Sequence, residues 1–317
     1  MKHETKGQEL YNKYICLSLA NNNTIMNYKN LILSVVFIFS YLNVKAKTVK
    51  QFFIKISPSG ERVKYGKFKI KKFSTKFDYV KKNLIIDEAT TNDALLWVNH
   101  EIQNFPKEAK VLFFIHGFWA SLPYSLNRST KKFEKYYFTS DSSNVCAIIH
   151  IIWDANSINY RQTVKSLTNS TNTLADLLNN IPNTIDYKYS LMCHSMGNRF
   201  LFETISKYVI STRFEELILM APDLDYRKYE KDGSLFTNLA SSVFVFFHTK
   251  DKTLLMSKTY NGVERLGRMS KYKDNGKIHF INCSDLSDID DIIDKYNKHI
   301  YFLNSKTIRK KVEDILK

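Results

Sequence analysis

The sequence predicts an α/β protein with a mostly parallel β-sheet that is covered by helices on both faces. From residue 91 to residue 317, strand-like runs alternate with helical segments, which is the order found in parallel sheets. The strand-like runs are apolar throughout, as at residues 111–115, and this is typical of strands buried on both faces. With 317 residues, of which 44% are apolar, the chain is long enough to bury one large core.

The amino-terminal part of the chain has the features of a targeting sequence. Residues 1–25 form a polar extension, and Met26 is predicted to be the biological start. Lys29 then supplies a positive charge, residues 31–42 form an apolar run interrupted only by serines, and Ala46 is a small residue at the end. This order of charged, apolar and small-residue regions is typical of a secretory signal peptide.

We therefore predict that residues 26–46 are a signal peptide and that the protein is exported, either to the periplasm or out of the cell. A short membrane anchor, with membrane contact through residues 31–44, is one alternative. A cytoplasmic protein with an amphiphilic amino-terminal helix is the other. The apolar run is shorter than the roughly 20 residues that a membrane-spanning helix needs, which favours the signal peptide.

Residues 47–90 are predicted to form a short β extension before the main domain. Two runs, residues 52–56 and 68–73, alternate apolar and polar side chains, and a Pro-Ser-Gly sequence at residues 58–60 lies between them. This pattern predicts a hairpin or the first strands of a sheet. The main α/β domain is predicted to span residues 91–317.

The main domain is predicted to begin with a helix and then to alternate strands with helices. The predicted helices cover residues 92–105, 159–180, 198–210 and 305–316, and the predicted strands cover residues 111–115, 145–153, 187–192, 217–220, 243–247 and 278–281. Pro182 is predicted to end the second helix. In such a sheet, ligands bind at the carboxyl ends of the strands, so polar residues that follow strand ends are the candidates for a functional site.

The strongest candidate is the sequence Cys-His-Ser-Met-Gly at residues 193–197, between a predicted strand and a predicted helix. It fits the G-x-S-x-G pattern of a nucleophile elbow, with Cys193 in the first glycine position. Gly197 leaves space for the tight approach of strand and helix. A serine that only caps the following helix is the alternative interpretation. The strand before Ser195 and the helix after it favour a nucleophile.

A serine nucleophile needs a base to accept its proton and an acid to orient that base. His299 follows the last predicted strand and is the candidate base, with His248 as the alternative. Asp251 and Asp223 each follow a predicted strand end and are both candidates for the acid. The chain order of serine, acid and histidine is the one that this architecture uses.

The loop after the first buried strand is the candidate source of an oxyanion hole, which needs two backbone N–H donors. His116 and Gly117 open this loop, and Gly117 permits a close approach of the backbone. The predicted donors are the N–H groups of Phe118 and of Met196, the residue after the serine. The side chain of His116 is predicted to support the site or to form part of its wall.

These segments, taken together, resemble the α/β-hydrolase superfamily and, more narrowly, the bacterial family called domain of unknown function 900. The resemblance covers roughly residues 85–317, and the matching segments are residues 114–118, 194–199, 221–225, 251–252, 265–268 and 299–302. It implies an α/β-hydrolase fold and hydrolysis of an ester or related acyl bond. It also favours Asp251 over Asp223 as the acid. Cys193, where the superfamily has glycine, is a departure that another compact residue can accommodate.

The charge of the chain and the spacing of its cysteines and acidic residues limit the kinds of ligand and partner that we expect. The formal net charge is +16, but the lysines are scattered and no basic-aromatic cluster is present, so no nucleic-acid partner is expected. The four cysteines have no metal-ligand spacing and are predicted to be buried thiols. The acidic residues at 285–291 are predicted to be solvated turn residues rather than metal ligands. No metal or cofactor is expected, and the expected ligand is a small-molecule or lipid-like acyl substrate.

Two alternatives to a serine hydrolase share the predicted fold. A non-catalytic binding module would have the sheet without turnover. An acyltransferase would use the same serine, acid and histidine with an acceptor other than water.

Overall fold

The structure is a computed structural model, and it describes residues 49–56, 62–70, 75–79, 89–118, 123–138, 143–155 and 159–317. The predicted polar extension at residues 1–25 and the predicted signal peptide at residues 26–46 lie outside these ranges. Within the ranges, no helix combines the length and the apolar content that a membrane span requires.

One mostly parallel sheet organises the described part of the chain. Its nine strands are β1 (Lys50–Ile56), β2 (Val63–Ile70), β3 (Thr75–Tyr79), β4 (Lys110–Ile115), β5 (Val145–Ile152), β6 (Lys188–His194), β7 (Phe214–Met220), β8 (Ala240–Phe247) and β9 (Ile278–Asn282). Their order in the sheet is β3-β2-β1-β5-β4-β6-β7-β8-β9. The β1–β2 and β2–β3 pairs are antiparallel, and the remaining pairs are parallel. The predicted fold class is therefore confirmed.

Helices flank the sheet between the strands. They are α1 (Thr91–Ile102), α2 (Pro123–Tyr136), α3 (Tyr160–Asn169), α4 (Thr171–Thr184), α5 (Met196–Lys207), α6 (Tyr226–Asp232), α7 (Ser234–Leu239), α8 (Lys252–Asn261), α9 (Ile292–Asn297), α10 (Tyr301–Asn304) and α11 (Lys306–Ile315), with a 3-10 turn at Leu266–Arg268.

The strand β4 shows why the central strands are apolar at every position. Leu112 and Phe114 pack in one apolar cluster, whereas Val111, Phe113 and Ile115 pack in another. Successive side chains of a strand point to opposite faces of the sheet, so the two clusters lie on its two faces. The sheet is thus covered on both sides, as the continuous apolar runs predict.

The prediction of one helix over residues 159–180 that ends at Pro182 was wrong in two respects. The segment forms two helices, α3 and α4, because Ser170 adopts φ −99° and ψ 0° and its hydroxyl bonds the Ser166 carbonyl. Pro182 lies inside the last turn of α4, which continues to Thr184. The backbone N–H of Ile185 still bonds the Ile181 carbonyl, so the proline does not prevent the last turn from closing.

Candidate active site

Ser195 lies in a strained turn between β6 and α5. Its φ of 54° and ψ of −121° are unfavourable for a residue with a side chain. Such a conformation costs about 1–3 kcal/mol and persists only where the surroundings hold it. Here the Ser195 N–H donates to Met220 O at 2.9 Å, and Ser195 O accepts from Asp223 N at 3.1 Å and from Asn198 Nδ2 at 3.0 Å. The turn therefore has the geometry that the elbow pattern predicts.

Two glycines allow the elbow to pack tightly against the loop after β4. A Cβ atom on Gly197 would lie 2.6 Å from the carbonyl oxygen of Ile115 and 2.7 Å from that of His116. A Cβ atom on Gly117 would lie 2.8 Å from Cβ of Ser195. Real Cβ contacts are never this short, so any side chain at either position would push the loop away from the serine.

Gly197→Ala is expected to lower the free energy of unfolding by about 1–3 kcal/mol, because the added methyl group overpacks the contact with β4. Helix propensity alone predicts the opposite sign, since alanine in place of glycine gains up to about 1 kcal/mol. Chemical denaturation of the variant measures the difference. Ser206→Ala, at an exposed position of the same helix, is the matched control and is expected to change stability by less than about 0.5 kcal/mol. An unchanged or increased stability of Gly197→Ala would contradict the packing argument.

The structure brings Ser195, His299 and Asp251 together as a hydrogen-bonded chain. Nε2 of His299 is 3.0 Å from Oγ of Ser195, and Nδ1 is 2.7 Å from Oδ2 of Asp251. An ionised carboxylate can only accept, so Nδ1 carries the proton and Nε2 is left to accept from the serine hydroxyl. All three side chains are buried. The arrangement can move a proton from the serine to the imidazole.

The charge around His299 favours its protonated form. Burial by itself lowers the pKa of this imidazole. The contact with the Asp251 carboxylate, together with the negative charges of Asp294 and Asp223, outweighs burial and raises the pKa above its ordinary value of 6.5. The imidazole is therefore a stronger base than a histidine in water.

Asp251 also begins α8. Its second carboxylate oxygen, Oδ1, accepts the N–H of Leu254 at 2.8 Å and so caps the helix. Each oxygen thus has a separate partner, one in the helix and one in the imidazole. This double anchoring fixes the carboxylate beside His299.

The loop that carries His299 is held by Asp294, a residue that the sequence analysis missed. Oδ1 of Asp294 accepts the N–H groups of His299 at 2.9 Å and of Ile300 at 2.6 Å, and Oδ2 accepts from Asn304 at 3.0 Å. On the other side, Nε2 of His194 donates to the His299 carbonyl at 3.2 Å. Burial lowers the pKa of His194 well below its ordinary value, so its ring stays neutral. The main chain of His299 is therefore held by two buried side chains.

Asp223, the alternative acid, lies in a different network. Its Oδ1 accepts from Arg265 Nε at 2.6 Å and from Ser257 Oγ at 2.6 Å, and its Oδ2 accepts from Tyr160 OH at 3.0 Å. Arg265 also donates to the Asp223 carbonyl at 2.9 Å. The carboxylate that contacts Nδ1 of His299 is that of Asp251. The ion pair with Arg265 explains why an acid is needed at position 223.

The alternative base, His248, also has a structural role. Its Nδ1 accepts the N–H of Lys250 at 3.1 Å. Burial, helped by the charge of Lys298, lowers the pKa of His248 to about 4. The imidazole in contact with Ser195 is that of His299.

The two predicted oxyanion donors flank the serine. Met196 is the first residue of α5, so its N–H has no acceptor within the helix. Phe118 follows Gly117, which lies against Ser195, and Phe118 lines the cavity that opens beside Ser195 and His299. Both predicted donors therefore belong to chain segments that adjoin Ser195.

The side chain of His116 is occupied by structural contacts. Its Nδ1 donates to the Gly117 carbonyl at 2.8 Å, and its Nε2 accepts the N–H of Trp153 at 3.3 Å. Burial lowers its pKa to about 4, so the ring is neutral. His116 therefore fixes the loop after β4, and it also lines the cavity beside Ser195.

A cavity of about 550 Å³ opens beside Ser195 and His299. This volume suits a small organic ligand. Most of the surface exposed to the cavity is apolar, and the apolar and aromatic residues that line it are Phe114, Phe118, Tyr160, Leu254, Met256, Tyr260, Ile300, Phe302 and Leu303. Within the ranges that the structure describes, no group of three or more His, Cys, Asp or Glu side chains could hold a metal ion.

The acidic residues before α9 have more definite contacts than the sequence analysis predicted. Asp288 accepts from the hydroxyl of Ser305 at 2.7 Å and from the N–H of Thr307 at 2.7 Å, at the start of α11. Asp291 caps α9 by accepting the N–H of Asp294 at 2.9 Å. These carboxylates order the segment that ends at His299.

Comparison with known proteins places the chain in a family. Residues 91–314 match the family model for alpha/beta hydrolase of unknown function (DUF900). An acetyl xylan esterase structure is similar at 10% identity and a TM-score of 0.35, covering 66% of this chain and 99% of that chain. A lipase-esterase related protein from Clostridium acetobutylicum is similar at 13% identity and a TM-score of 0.35, covering 66% and 95%. No curated protein matches the sequence. Because the family model covers more than half of the residues, the chain belongs to the DUF900 family of alpha/beta hydrolases.

Proposed function

We propose that the protein is a serine hydrolase that cleaves an ester or related acyl bond through an acyl-enzyme intermediate. The single observation that carries the proposal is the hydrogen-bonded chain from Ser195 through His299 to Asp251 beside a largely apolar cavity. Membership of an alpha/beta hydrolase family supports hydrolysis at a coarser level.

In the first half of the reaction, Oγ of Ser195 attacks the acyl carbonyl carbon while Nε2 of His299 accepts the hydroxyl proton. Asp251 keeps the imidazole in the tautomer that accepts at Nε2 and stabilises the imidazolium that forms. The N–H groups of Phe118 and Met196 bind the oxygen that becomes negative. Collapse of this intermediate releases the alcohol, which takes the proton from His299, and leaves the acyl group on Ser195.

In the second half, a water molecule takes the place of the alcohol. Nε2 of His299 accepts a proton from the water as the water oxygen attacks the acyl carbonyl. The carboxylic acid leaves, the proton returns to Ser195, and the enzyme is restored. The largely apolar lining of the cavity supports an acyl or lipid-like substrate as the group held beside the serine.

Labelling with a fluorophosphonate tests the proposal directly, because this reagent modifies only an activated serine. We expect stoichiometric modification of the peptide that contains Ser195, found by mass spectrometry, and turnover of a panel of esters with varied acyl length. Absence of both labelling and turnover would contradict the proposal and favour the alternative of a non-catalytic binding module. Acyl transfer to an added alcohol in preference to water would identify an acyltransferase.

The acidic limb of the pH profile of kcat/KM is expected to lie above pH 6.5. His299 must be neutral to accept the serine proton, and its pKa is raised, so activity is lost as the pH falls through that raised value. Asp294→Asn removes a negative charge that raises this pKa and is expected to move the limb to lower pH. Initial rates with a soluble ester, whose own hydrolysis is independent of pH in this range, measure both profiles. A limb below pH 6.5, or one that Asp294→Asn leaves in place, would disagree with the electrostatics.

A further inference from the structure

Large apolar side chains are exposed on one side of the cavity. Of the nine exposed large apolar residues in the described ranges, six lie on the short helices α8 and α9. We call these six residues the apolar collar: Leu255, Met256, Tyr260, Ile292, Ile293 and Tyr296. Ile292 is 84% exposed, Met256 74% and Tyr296 67%. A single exposed apolar residue needs no explanation, but a contiguous group usually marks a binding surface.

The collar lies at the mouth of the cavity. Met256 and Tyr260 of α8 line the cavity itself, as does Asn297 at the end of α9. Nζ of Lys252, at the start of α8, lies over the ring of Tyr296 and so joins the two helices. The part of the collar on α8 therefore borders the candidate active site, and the contact between Lys252 and Tyr296 places the part on α9 beside it.

The helix α9 buries a charged residue and exposes apolar residues, which is the reverse of an ordinary surface helix. Its acidic residue, Asp294, is buried and holds the His299 loop, whereas Ile292 and Ile293 face solvent. A surface helix normally places apolar residues inward and charged residues outward. Fold stability accounts for the buried Asp294 but not for the two exposed isoleucines, since they contact water.

The charges next to the collar are positive. Lys250, Lys252 and Lys295 lie on or beside the two helices, whereas Asp251 and Asp294 are buried. The two acids directly before α9 are ion-paired: Asp291 lies 2.8 Å from Arg128, and Asp290 lies 3.5 Å from Lys132. Apolar side chains bordered by lysines complement an anionic lipid surface, in which the apolar groups insert and the lysines meet the head groups.

We propose that the apolar collar docks the protein on an anionic lipid surface, with the mouth of the cavity facing the lipid. The surface differs from residues 31–44, the membrane contact that the sequence suggested. Docking does not require turnover. It extends the proposed function by making a lipid-embedded ester the class of substrate that reaches Ser195 most readily.

Flotation of the full chain with lipid vesicles tests the proposal. We expect the protein to bind vesicles that contain phosphatidylglycerol and to bind vesicles of phosphatidylcholine alone more weakly. The double variant Ile292→Gln/Ile293→Gln is expected to bind the anionic vesicles at least about tenfold more weakly, because two inserted side chains become polar. Lys250→Gln and Lys295→Gln are each expected to weaken binding about fivefold, and salt is expected to reduce that loss.

The matched controls are Val209→Gln and Lys207→Gln, which change an apolar and a basic residue at a different exposed surface. Val209 is 90% exposed, so it is at least as accessible as any collar residue. Neither control is expected to change vesicle binding. All of these variants keep residues 31–44, so a difference between them reports on the collar alone.

Ser195→Ala separates docking from catalysis, since it is expected to bind vesicles like the wild type. Vesicle binding without turnover would contradict the proposed function and support the docking surface. Equal binding of wild type and Ile292→Gln/Ile293→Gln would overturn the docking proposal. So would a concentration-dependent dimer that the same double variant abolishes without any vesicle binding, because a second copy of the chain would then occupy the collar.

Discussion

Ser195→Ala is expected to reduce kcat for ester hydrolysis by about 10⁴- to 10⁶-fold while the protein stays folded. In the proposed reaction the variant loses the atom that attacks the substrate, and neither His299 nor Asp251 can replace it. The N–H groups of Phe118 and Met196 remain, so a small residual rate over water is expected from binding and oxyanion stabilisation. The fold is retained because alanine keeps the Cβ atom and removes only the hydroxyl.

Steady-state kinetics with a soluble ester and thermal denaturation of the same preparation measure the two properties separately. Ser206→Ala is the matched control, since it removes a serine hydroxyl from the far end of the same helix at an exposed position. The control is expected to keep full activity. Equal turnover by wild type and Ser195→Ala would end the assignment of Ser195 as the nucleophile.

Residues at strand ends could be predicted from the sequence because parallel pairing brings those ends to one edge of the sheet. The register pairs His194 of β6 with Met220 of β7, Met220 with Phe246 of β8, and Phe247 with Asn282 of β9. Ser195 follows the first of these strands directly. Asp251 lies four positions after β8. Continuous apolar runs that end in polar residues were therefore sufficient to predict both Ser195 and Asp251 as candidate site residues.

The environment of His299 could not be predicted in the same way. Asp294 acts on residues five and six positions away through a short turn, and no periodic pattern marks such a contact. The helix α9 has only six residues, its apolar side chains face outward, and its acid faces inward. Hydrophobic periodicity identifies helices that bury an apolar face, so it has no signal for a helix whose buried face is polar.

The helices α6 and α7, which are among those that the sequence did not predict, were missed for a related reason. In these helices only Tyr229, Phe236 and Leu239 are buried, and the seven-residue α6 contributes just the first of them. Such short segments have too few buried positions to show a helical period. The predicted function was not affected, because α6 and α7 follow Asp223 and lie outside the Ser195–His299–Asp251 chain.

Asp251→Asn is expected to lower kcat by about 10⁴-fold and to change the free energy of unfolding by less than about 1 kcal/mol. Asparagine at this position can keep the helix cap, because its side-chain oxygen can accept the Leu254 N–H as Asp251 does. Its amide group would then face Nδ1 of His299. Two donors cannot bond each other, so the imidazole would move its proton to Nε2 and lose the ability to accept from Ser195.

Asp223→Asn is expected to give the reverse result. It leaves Arg265, a buried guanidinium, without its carboxylate partner, which typically costs about 3–5 kcal/mol of stability. The contact between His299 and Asp251 is untouched, so the folded fraction of this variant is expected to keep far more activity than Asp251→Asn. Denaturation curves and kcat per folded molecule are measured on both variants. Asp251→Asn is expected to lose activity and keep its stability, whereas Asp223→Asn is expected to lose stability and keep its activity. The opposite pattern, with activity lost only in Asp223→Asn, would contradict the assignment of Asp251 as the acid that orients His299, because Asp251 is the carboxylate bonded to Nδ1 of that imidazole.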